Sequence, residues 1–194
     1  MHAWAIDRAK ALVVFFNWAY IVTSWPIILI SDVVLYCTNW NKYRYYRNVV
    51  LVSFVIAVVA FKVFPLAPPR LMALYFTYTI QVFGPSEYAS REMVNYFNAF
   101  AAMPSLHFAW TVMFGIIFLR TPYLWLKVFG IVYLVITLLA ITITANHYLT
   151  DAFGGGMVIL VSFLIVEIGF ERRFFALEIP NRVKQSLNGS PLAV

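Results

Sequence analysis

Long apolar stretches, interrupted only by short groups of charged residues, constrain this chain more than any other feature of its sequence. A helix needs about 20 mostly apolar residues to cross the hydrocarbon core of a bilayer. Of the 194 residues, 63% are hydrophobic and 11% are charged, whereas a soluble domain carries about 25% charged residues. A soluble surface would lack polar area, so the sequence predicts an all-α integral membrane protein that crosses the bilayer several times.

The apolar stretches predict about five transmembrane helices that form a bundle. They cover residues 11–37, 48–64, 105–120, 123–145 and 149–170. Pro26 is expected to kink the first helix, because proline removes a helical hydrogen bond. The segment 65–104 is long for a loop and contains Tyr and Phe, which favour the membrane interface, so it predicts short interfacial helices.

The basic residues orient the predicted bundle, because Lys and Arg favour the cytoplasmic side. Nine of the 14 fall in three segments that five spans place on one side: Lys42, Arg44, Arg47, Arg120, Lys127, Arg172, Arg173, Arg182 and Lys184. That side is predicted to be cytoplasmic, with the N-terminus and segment 65–104 outside. The chain then consists of one transmembrane domain, 1–175, and a cytoplasmic tail, 176–194. Charges confined to short breaks also argue against nucleic acid as a partner.

Three short polar stretches lie at predicted span ends on the non-cytoplasmic side. In the first, three prolines precede Arg70, which is positioned either to bind a phosphate bidentately or to reach lipid head groups. In the second, Ser105 is predicted to cap a helix whose free N–H groups favour an anion. His107 follows in the first turn. An ordinary cap with an interfacial histidine is the alternative.

The third stretch joins the last two predicted spans and contains His147 and Asp151. If the helix begins before His147, these two residues share one helix face. The carboxylate can then hold one ring nitrogen as a donor and leave the other as a nucleophile. An acidic residue at a membrane span indicates a function. An aspartate placed to favour the helix dipole is the alternative.

Together these residues form a set suited to phosphoryl transfer. Two of the three histidines fall at these helix ends, beside Arg70, Ser105 and Asp151. An arginine, a helix N-terminus and two histidines supply a charge clamp, oxyanion donors, a nucleophile and a general acid. Such a set requires no metal and no other cofactor.

The motifs resemble those of the type 2 phosphatidic acid phosphatase superfamily, in particular the branch that includes inositol phosphorylceramide synthases and related bacterial membrane phosphatases. The resemblance covers about residues 10–170 and rests on Ala67-Pro68-Pro69-Arg70, Pro104-Ser105-Leu106-His107 and His147-Tyr148-Leu149-Thr150-Asp151. It implies that His147 attacks phosphorus and forms a phosphohistidine while Asp151 orients it. It also implies that His107 protonates the leaving oxygen, and that Arg70 and Ser105 bind the phosphoryl oxygens.

The chain departs from the pattern of this superfamily in several places. A lysine is usual seven positions before the arginine of the first motif, where this chain has Val63 beside Lys62. An arginine is usual six positions before the histidine of the third motif, where it has Ile141, and Arg91 is the substitute we consider for phosphate binding. Leu106 stands where many phosphatases have glycine. The last two departures resemble the phosphosphingolipid synthases. Six spans are usual, one more than predicted here.

The sequence therefore favours a catalytic domain that acts on a lipid-linked phosphate, as a phosphatase or phosphotransferase with water or an alcohol as acceptor. It would lie among membrane lipids of the plasma membrane with its site facing outward. A head-group transferase of the phosphoinositol type is one alternative, and a non-enzymatic transporter or scaffold is another. Transporters place polar residues near the bilayer midplane, whereas these cluster at one boundary. Gly154, Gly155 and Gly156 are interpreted as a close-packing site.

Overall fold

The computed structural model describes residues 6–22, 24–72, 77, 79–83 and 101–169. Every regular element in these ranges is helical, which confirms the predicted all-α class. The helices are α1 (Lys10–Val22), α2 (Ser24–Thr38), α3 (Trp40–Val63), α4 (Thr79–Phe83), α5 (Leu106–Leu119), α6 (Leu124–Ile143) and α7 (Leu149–Gly169). A short 3-10 helix covers Pro69–Leu71.

Four stretches of the described chain are long and apolar enough to cross a membrane. They are Lys10–Thr38, which contains α1 and α2, and the helices α3, α6 and α7. The helix predicted over 105–120 is shorter: α5 covers 14 residues, which is roughly 21 Å at 1.5 Å per residue. This falls short of the ~30 Å hydrocarbon core, so a bundle of five spans stays a prediction.

The start of α3 differs from the predicted span, which was expected to begin at residue 48. Asn39 caps the helix, because its side-chain oxygen accepts the N–H of Lys42 at 2.9 Å, and the basic residues Lys42, Arg44 and Arg47 lie within α3. Hydropathy locates the part of a helix that crosses lipid, and it misses polar turns that continue the helix outside. Pro26 lies within the stretch Lys10–Thr38, which contains α1 and α2, and the kink expected at this residue stays a prediction.

The core of the bundle forms around α5. Ala109, Met113 and Phe114 on this helix are almost fully buried. They pack in one cluster with residues of α3 and α7, namely Tyr45, Tyr46, Val49, Ile159, Phe163 and Val166. A second cluster joins α1 to α6 through Val13, Phe16, Ala140 and Ile143. The outer faces expose large apolar side chains, including Leu29, Val55, Ile131 and Phe153, as expected for helices in contact with lipid.

Four helix ends meet at one end of the bundle, which we call the polar end and define by Arg70, Ser105, His147 and Asp151. Backbone hydrogen bonds join the segments there. Arg70 N–H, beyond α3, donates to the carbonyl of Ala145 at 3.0 Å, and Ser105 N–H donates to the carbonyl of Asp151 at 3.0 Å. The ends of α3, α5, α6 and α7 are therefore fixed to one another.

Several predictions concern residues outside the described ranges. Arg91 and the tail 176–194 belong to this group. Within the segment 65–104, the structure describes the 3-10 helix and the five-residue helix α4. Their location at a membrane interface, the orientation of the bundle and the domain limits stay predictions.

Candidate active site

His147 lies in the connection between α6 and α7, and the end of α6 sets its position. Ala145 adopts a left-handed conformation with φ of 56°. The N–H of Asn146 then donates to the carbonyl of Ile141 at 3.1 Å, and the N–H of Ala145 donates to that of Thr142 at 3.3 Å. This is a Schellman ending, which normally uses glycine at the left-handed position because other residues are strained there. The turn directs the following residues back over the helix end.

The imidazole of His147 is held by its Nδ1 atom. Nδ1 lies 2.8 Å from the carbonyl oxygen of Ala102 and 3.5 Å from Oδ2 of Asp151. A carbonyl oxygen can only accept, so Nδ1 carries the hydrogen and Nε2 of the neutral ring keeps its lone pair. The side chain is 8% exposed. The ring is thus prepared to present Nε2 as a nucleophile.

Asp151 lies in the first turn of α7 and is fully buried. Its Oδ2 accepts the N–H of Tyr148 at 2.9 Å, which is the arrangement of a capping box. Its Oδ1 has no hydrogen-bond partner within the described ranges. His147 precedes α7, so the condition for a shared helix face with Asp151, a helix that begins before His147, is not met. The two side chains still meet, because Asp151 turns back over the helix start.

Arg70 reaches the same connection from the segment after α3. Its Nη1 donates to the side-chain oxygen of Asn146 at 3.0 Å and to the backbone carbonyl of Asn146 at 3.4 Å. As a residue, Arg70 is half-buried. Since His147 follows Asn146 directly, Arg70 stands one residue from the candidate nucleophile.

Ser105 and His107 approach from the start of α5. The hydroxyl of Ser105 accepts the N–H of Phe108 at 3.4 Å, which confirms the predicted N-cap. His107 is half-buried, and its ring stacks on Tyr20 of α1 with 4.4 Å between ring centroids. A positive charge on His147 would repel a positive charge on His107, so the charge state of each histidine affects that of the other.

Close packing of α7 on α5 keeps this arrangement compact. A Cβ on Gly155 would overlap the carbonyl oxygen of Ser105 and lie 3.3 Å from the backbone nitrogen of Ala109. Only a glycine allows this approach, which confirms the close-packing interpretation for Gly155, whereas an added Cβ on Gly156 meets no atom within 4 Å. A cavity of about 40 Å³ lies between α2, α5 and α6, is bordered by His107 and is lined mainly by apolar and aromatic side chains, including Trp25, Trp110 and Phe114.

Two positions at which the chain departs from the superfamily pattern, the one at Val63 beside Lys62 and the one at Ile141, bring no cation to the polar end. Lys62 is exposed near the end of α3. Ile141 is fully buried, and an arginine in its place would have to enter an apolar core. The described residues contain no group of three or more His, Cys, Asp or Glu side chains that could hold a metal ion.

Sequence reasoning missed several residues that the fold brings to the polar end. Asn146, Thr144 and Thr79 form hydrogen bonds there, and Asn17 of α1 bonds to Thr79. A signal existed for Asn17, because a lone amide within an apolar helix is costly unless it is paired. Tyr20 and the carbonyl of Ala102 gave no such signal.

A comparison with protein-family models gives one match, described as the PAP2 superfamily, over residues 1–165. No curated protein and no solved structure gives a significant match. The family match includes all three polar stretches and covers well over half of the chain. This chain therefore belongs to the PAP2 superfamily.

Proposed function

We propose that the protein is a membrane lipid phosphatase or phosphotransferase that forms a phosphohistidine at His147. The observation that supports this most directly is the 2.8 Å contact between Nδ1 of His147 and the carbonyl of Ala102. It fixes the tautomer in which Nε2 is free to attack. Membership of the PAP2 superfamily supports phosphatase-type chemistry on lipid phosphates.

In the first step, Nε2 of His147 attacks the phosphorus of a phosphomonoester. A P–N bond forms and the bond between phosphorus and the alkoxide oxygen breaks. His107 donates its proton to that oxygen, so the leaving group departs as a neutral alcohol. Arg70 and the N–H groups at the start of α5 stabilise the negative charge on the phosphoryl oxygens.

In the second step, an acceptor attacks the phosphohistidine. When the acceptor is water, its oxygen bonds to phosphorus while His107 takes its proton, and the P–N bond breaks. Inorganic phosphate is released and His147 returns to its neutral form. An alcohol as acceptor would give a new phosphate ester instead. During both steps Asp151 balances the positive charge that develops on the imidazole of His147.

The substrate class follows from where the polar end lies. Its charged and polar groups stand at the ends of helices whose outer faces are apolar. A phosphate linked to a lipid can reach such a site while its apolar part remains in the bilayer. We place the site on the non-cytoplasmic side, because the basic residues at the start of α3, Lys42, Arg44 and Arg47, and Arg120 after α5 lie at the opposite end of the bundle.

Hydrolysis is the reaction we propose first, and head-group transfer is the alternative. Ile141 occupies the position at which phosphatases of the superfamily usually have arginine. Its burial favours a phosphate site with one positive charge fewer than in those phosphatases. A phosphodiester such as a phosphoinositide carries less charge on its phosphate than a phosphomonoester does. The missing cation is thus the observation in favour of the transferase.

Phosphorus NMR distinguishes these reactions. The purified protein is incubated with phosphatidic acid, a polyprenyl phosphate and a phosphoinositide, with and without inositol. Inorganic phosphate that appears with the unmodified protein identifies a phosphatase, and a new phosphodiester resonance identifies a transferase. His147→Ala should abolish either product, whereas Leu149→Ala, at a 65% exposed position, should leave it unchanged.

The covalent intermediate provides a second measurement. A phosphohistidine is labile in acid and stable in alkali, so a labelled phosphate should remain on the denatured protein only under alkaline conditions. His147→Ala should remove this label. No product from any substrate, together with no label, would move the assignment to a non-enzymatic membrane protein.

A further inference from the structure

The side-chain amide of Asn146 lies between two groups that both fix its orientation. Its Nδ2 donates to the hydroxyl oxygen of Thr144 at 2.7 Å, and that hydroxyl donates to the carbonyl of Ala140 at 2.6 Å. The Thr144 oxygen is therefore an acceptor toward Asn146. On the other side, Nη1 of Arg70 can only donate and lies 3.0 Å from Oδ1 of Asn146.

A flipped amide would lose both contacts at once. The nitrogen would face the donor Nη1 of Arg70, and the oxygen would face a hydroxyl whose hydrogen is used on Ala140. Asn146 is 1% exposed, so water offers no replacement, and an unsatisfied buried polar group costs about 1–3 kcal/mol. The oxygen of Asn146 is consequently held toward Arg70.

Thr144 is itself fixed from two other helices. Its backbone carbonyl lies 3.2 Å from the hydroxyl oxygen of Thr79 in α4, whose single hydrogen is shared between this carbonyl and Oδ1 of Asn17. Thr79 and Asn17 of α1 form a reciprocal pair, in which the Thr79 hydroxyl donates to Oδ1 of Asn17 at 2.9 Å and Nδ2 of Asn17 donates to the Thr79 carbonyl at 3.0 Å. All three residues are fully buried. A continuous set of hydrogen bonds thus runs from α1 to Arg70.

We propose that Asn146 is the positioning residue for Arg70, holding the guanidinium beside His147 through an amide that Thr144 orients. This inference rests on the proposed function, in which Arg70 binds the phosphoryl oxygens. An arginine side chain has several rotatable bonds, and restraining it before the substrate arrives lowers the entropy cost of binding phosphate. Asn146 acts through Arg70 and does not itself touch the substrate.

A double-mutant cycle tests the dependence of Asn146 on Arg70. Asn146→Leu, Arg70→Ala and the double variant are compared in kcat/KM for the lipid phosphate. We expect Asn146→Leu to lower kcat/KM by about tenfold to a hundredfold, and to change it less than about twofold when Arg70 is already alanine. Fully additive losses would overturn the proposal. Thr142→Val is the matched control, because in the described part of the chain the Thr142 hydroxyl bonds only to carbonyls of α6.

Asn146→Asp separates positioning from a structural role, and it replaces Asn146→Leu if that variant does not fold. The carboxylate keeps an acceptor for Arg70 but binds it as an ion pair that competes with phosphate. The KM should therefore rise more than kcat falls. Equal losses in Asn146→Asp and Asn146→Leu, confined to kcat, would contradict positioning of a phosphate ligand.

Binding of inorganic phosphate, measured as broadening of its phosphorus resonance by the purified protein, tests the proposal without turnover. We expect broadening that Arg70→Ala abolishes and Asn146→Asp weakens. If this pattern appears without hydrolysis or transfer of any lipid phosphate, the proposed function fails and the positioning role stands. If lipid phosphate is converted but the cycle is additive, the positioning role fails and the proposed function stands. Absence of both turnover and Arg70-dependent phosphate binding would overturn the positioning role as well.

Discussion

Two short connections between helices are built in opposite ways. The exposed connection, residues 120–123, joins α5 to α6, and the buried connection, residues 144–148, joins α6 to α7. Arg120, Pro122 and Tyr123 are exposed, whereas the first four residues of the buried connection are at most 8% exposed. Similar lengths therefore hide a large difference in environment.

The hydrogen bonds of the two connections differ in the same sense. In the exposed connection, Thr121 forms hydrogen bonds with the carbonyls of Phe118 and Tyr123, which are close to it in the chain. In the buried connection they reach Arg70, Thr79 and Ala102, each more than 40 residues away in the chain. Buried polar groups must be paired, so the polar groups of the buried connection join distant segments, whereas the hydroxyl of Thr121 bonds to nearby carbonyls.

Among substitutions that keep His147, we expect Asp151→Asn to lower kcat the most, because it alters the contacts of the buried connection. The amide oxygen can still accept the N–H of Tyr148, so the start of α7 is preserved, but the charge facing His147 is lost. When a carboxylate alone sets the histidine tautomer, its loss costs about 10⁴-fold in kcat. Here Ala102 already holds Nδ1, so we expect a loss of roughly 10²-fold, as is typical of a supporting group.

Steady-state rates of lipid phosphate turnover measure this effect, with thermal unfolding in detergent as the check on folding. A loss near 10⁴-fold in a folded variant would mean that Asp151, and not Ala102, controls the tautomer. No loss of turnover would mean that Asp151 stabilises the start of α7 and does not contribute to catalysis.

The sequence predicted the residues of the buried connection better than their partners. The spans over 123–145 and 149–170 correspond closely to α6 and α7, because uninterrupted apolar runs end where helices leave the lipid. The pairing of His147 with Asp151 was accessible because it is local. Hydrogen bonds to Ala102, Arg70 and Thr79 depend on how distant segments pack, which periodicity does not encode.

The start of α3 is a local feature that hydropathy nevertheless misplaced. Hydropathy placed it at residue 48, but the capped helix starts at Trp40 and includes three basic residues, Lys42, Arg44 and Arg47, before that position. Lys and Arg are good helix formers, so a polar turn extends a transmembrane helix at no cost. The roles of the site residues stay predictions, and the variants described above are the means to test them.

A smaller effect is expected from moving the helix that follows the buried connection. Gly155→Ala would push α7 away from the backbone of Ser105, and backbone atoms cannot rotate aside. We expect a loss of roughly 1–3 kcal/mol in the free energy of unfolding, with reduced turnover because Ser105 and Asp151 move apart. Gly156 has no atom within 4 Å of an added Cβ, so Gly156→Ala should instead stabilise the helix by roughly 0.5–1 kcal/mol. Thermal unfolding measures both, and equal effects would contradict the close contact.

The smallest effect compares one threonine from each connection. Thr144→Val removes the acceptor of the Asn146 amide, which leaves a buried N–H without its partner, and we expect it to cost about 1–2 kcal/mol. Thr121→Val removes a hydroxyl bonded within its own turn, beside exposed residues where water can replace it, and should stay within about 0.5 kcal/mol. For a chain of this length, 1 kcal/mol corresponds to a shift of roughly 2–4 °C in Tm. Equal shifts in Tm for the two variants would mean that burial of the connection between α6 and α7 does not strengthen its hydrogen bonds. The two connections would then differ in exposure alone.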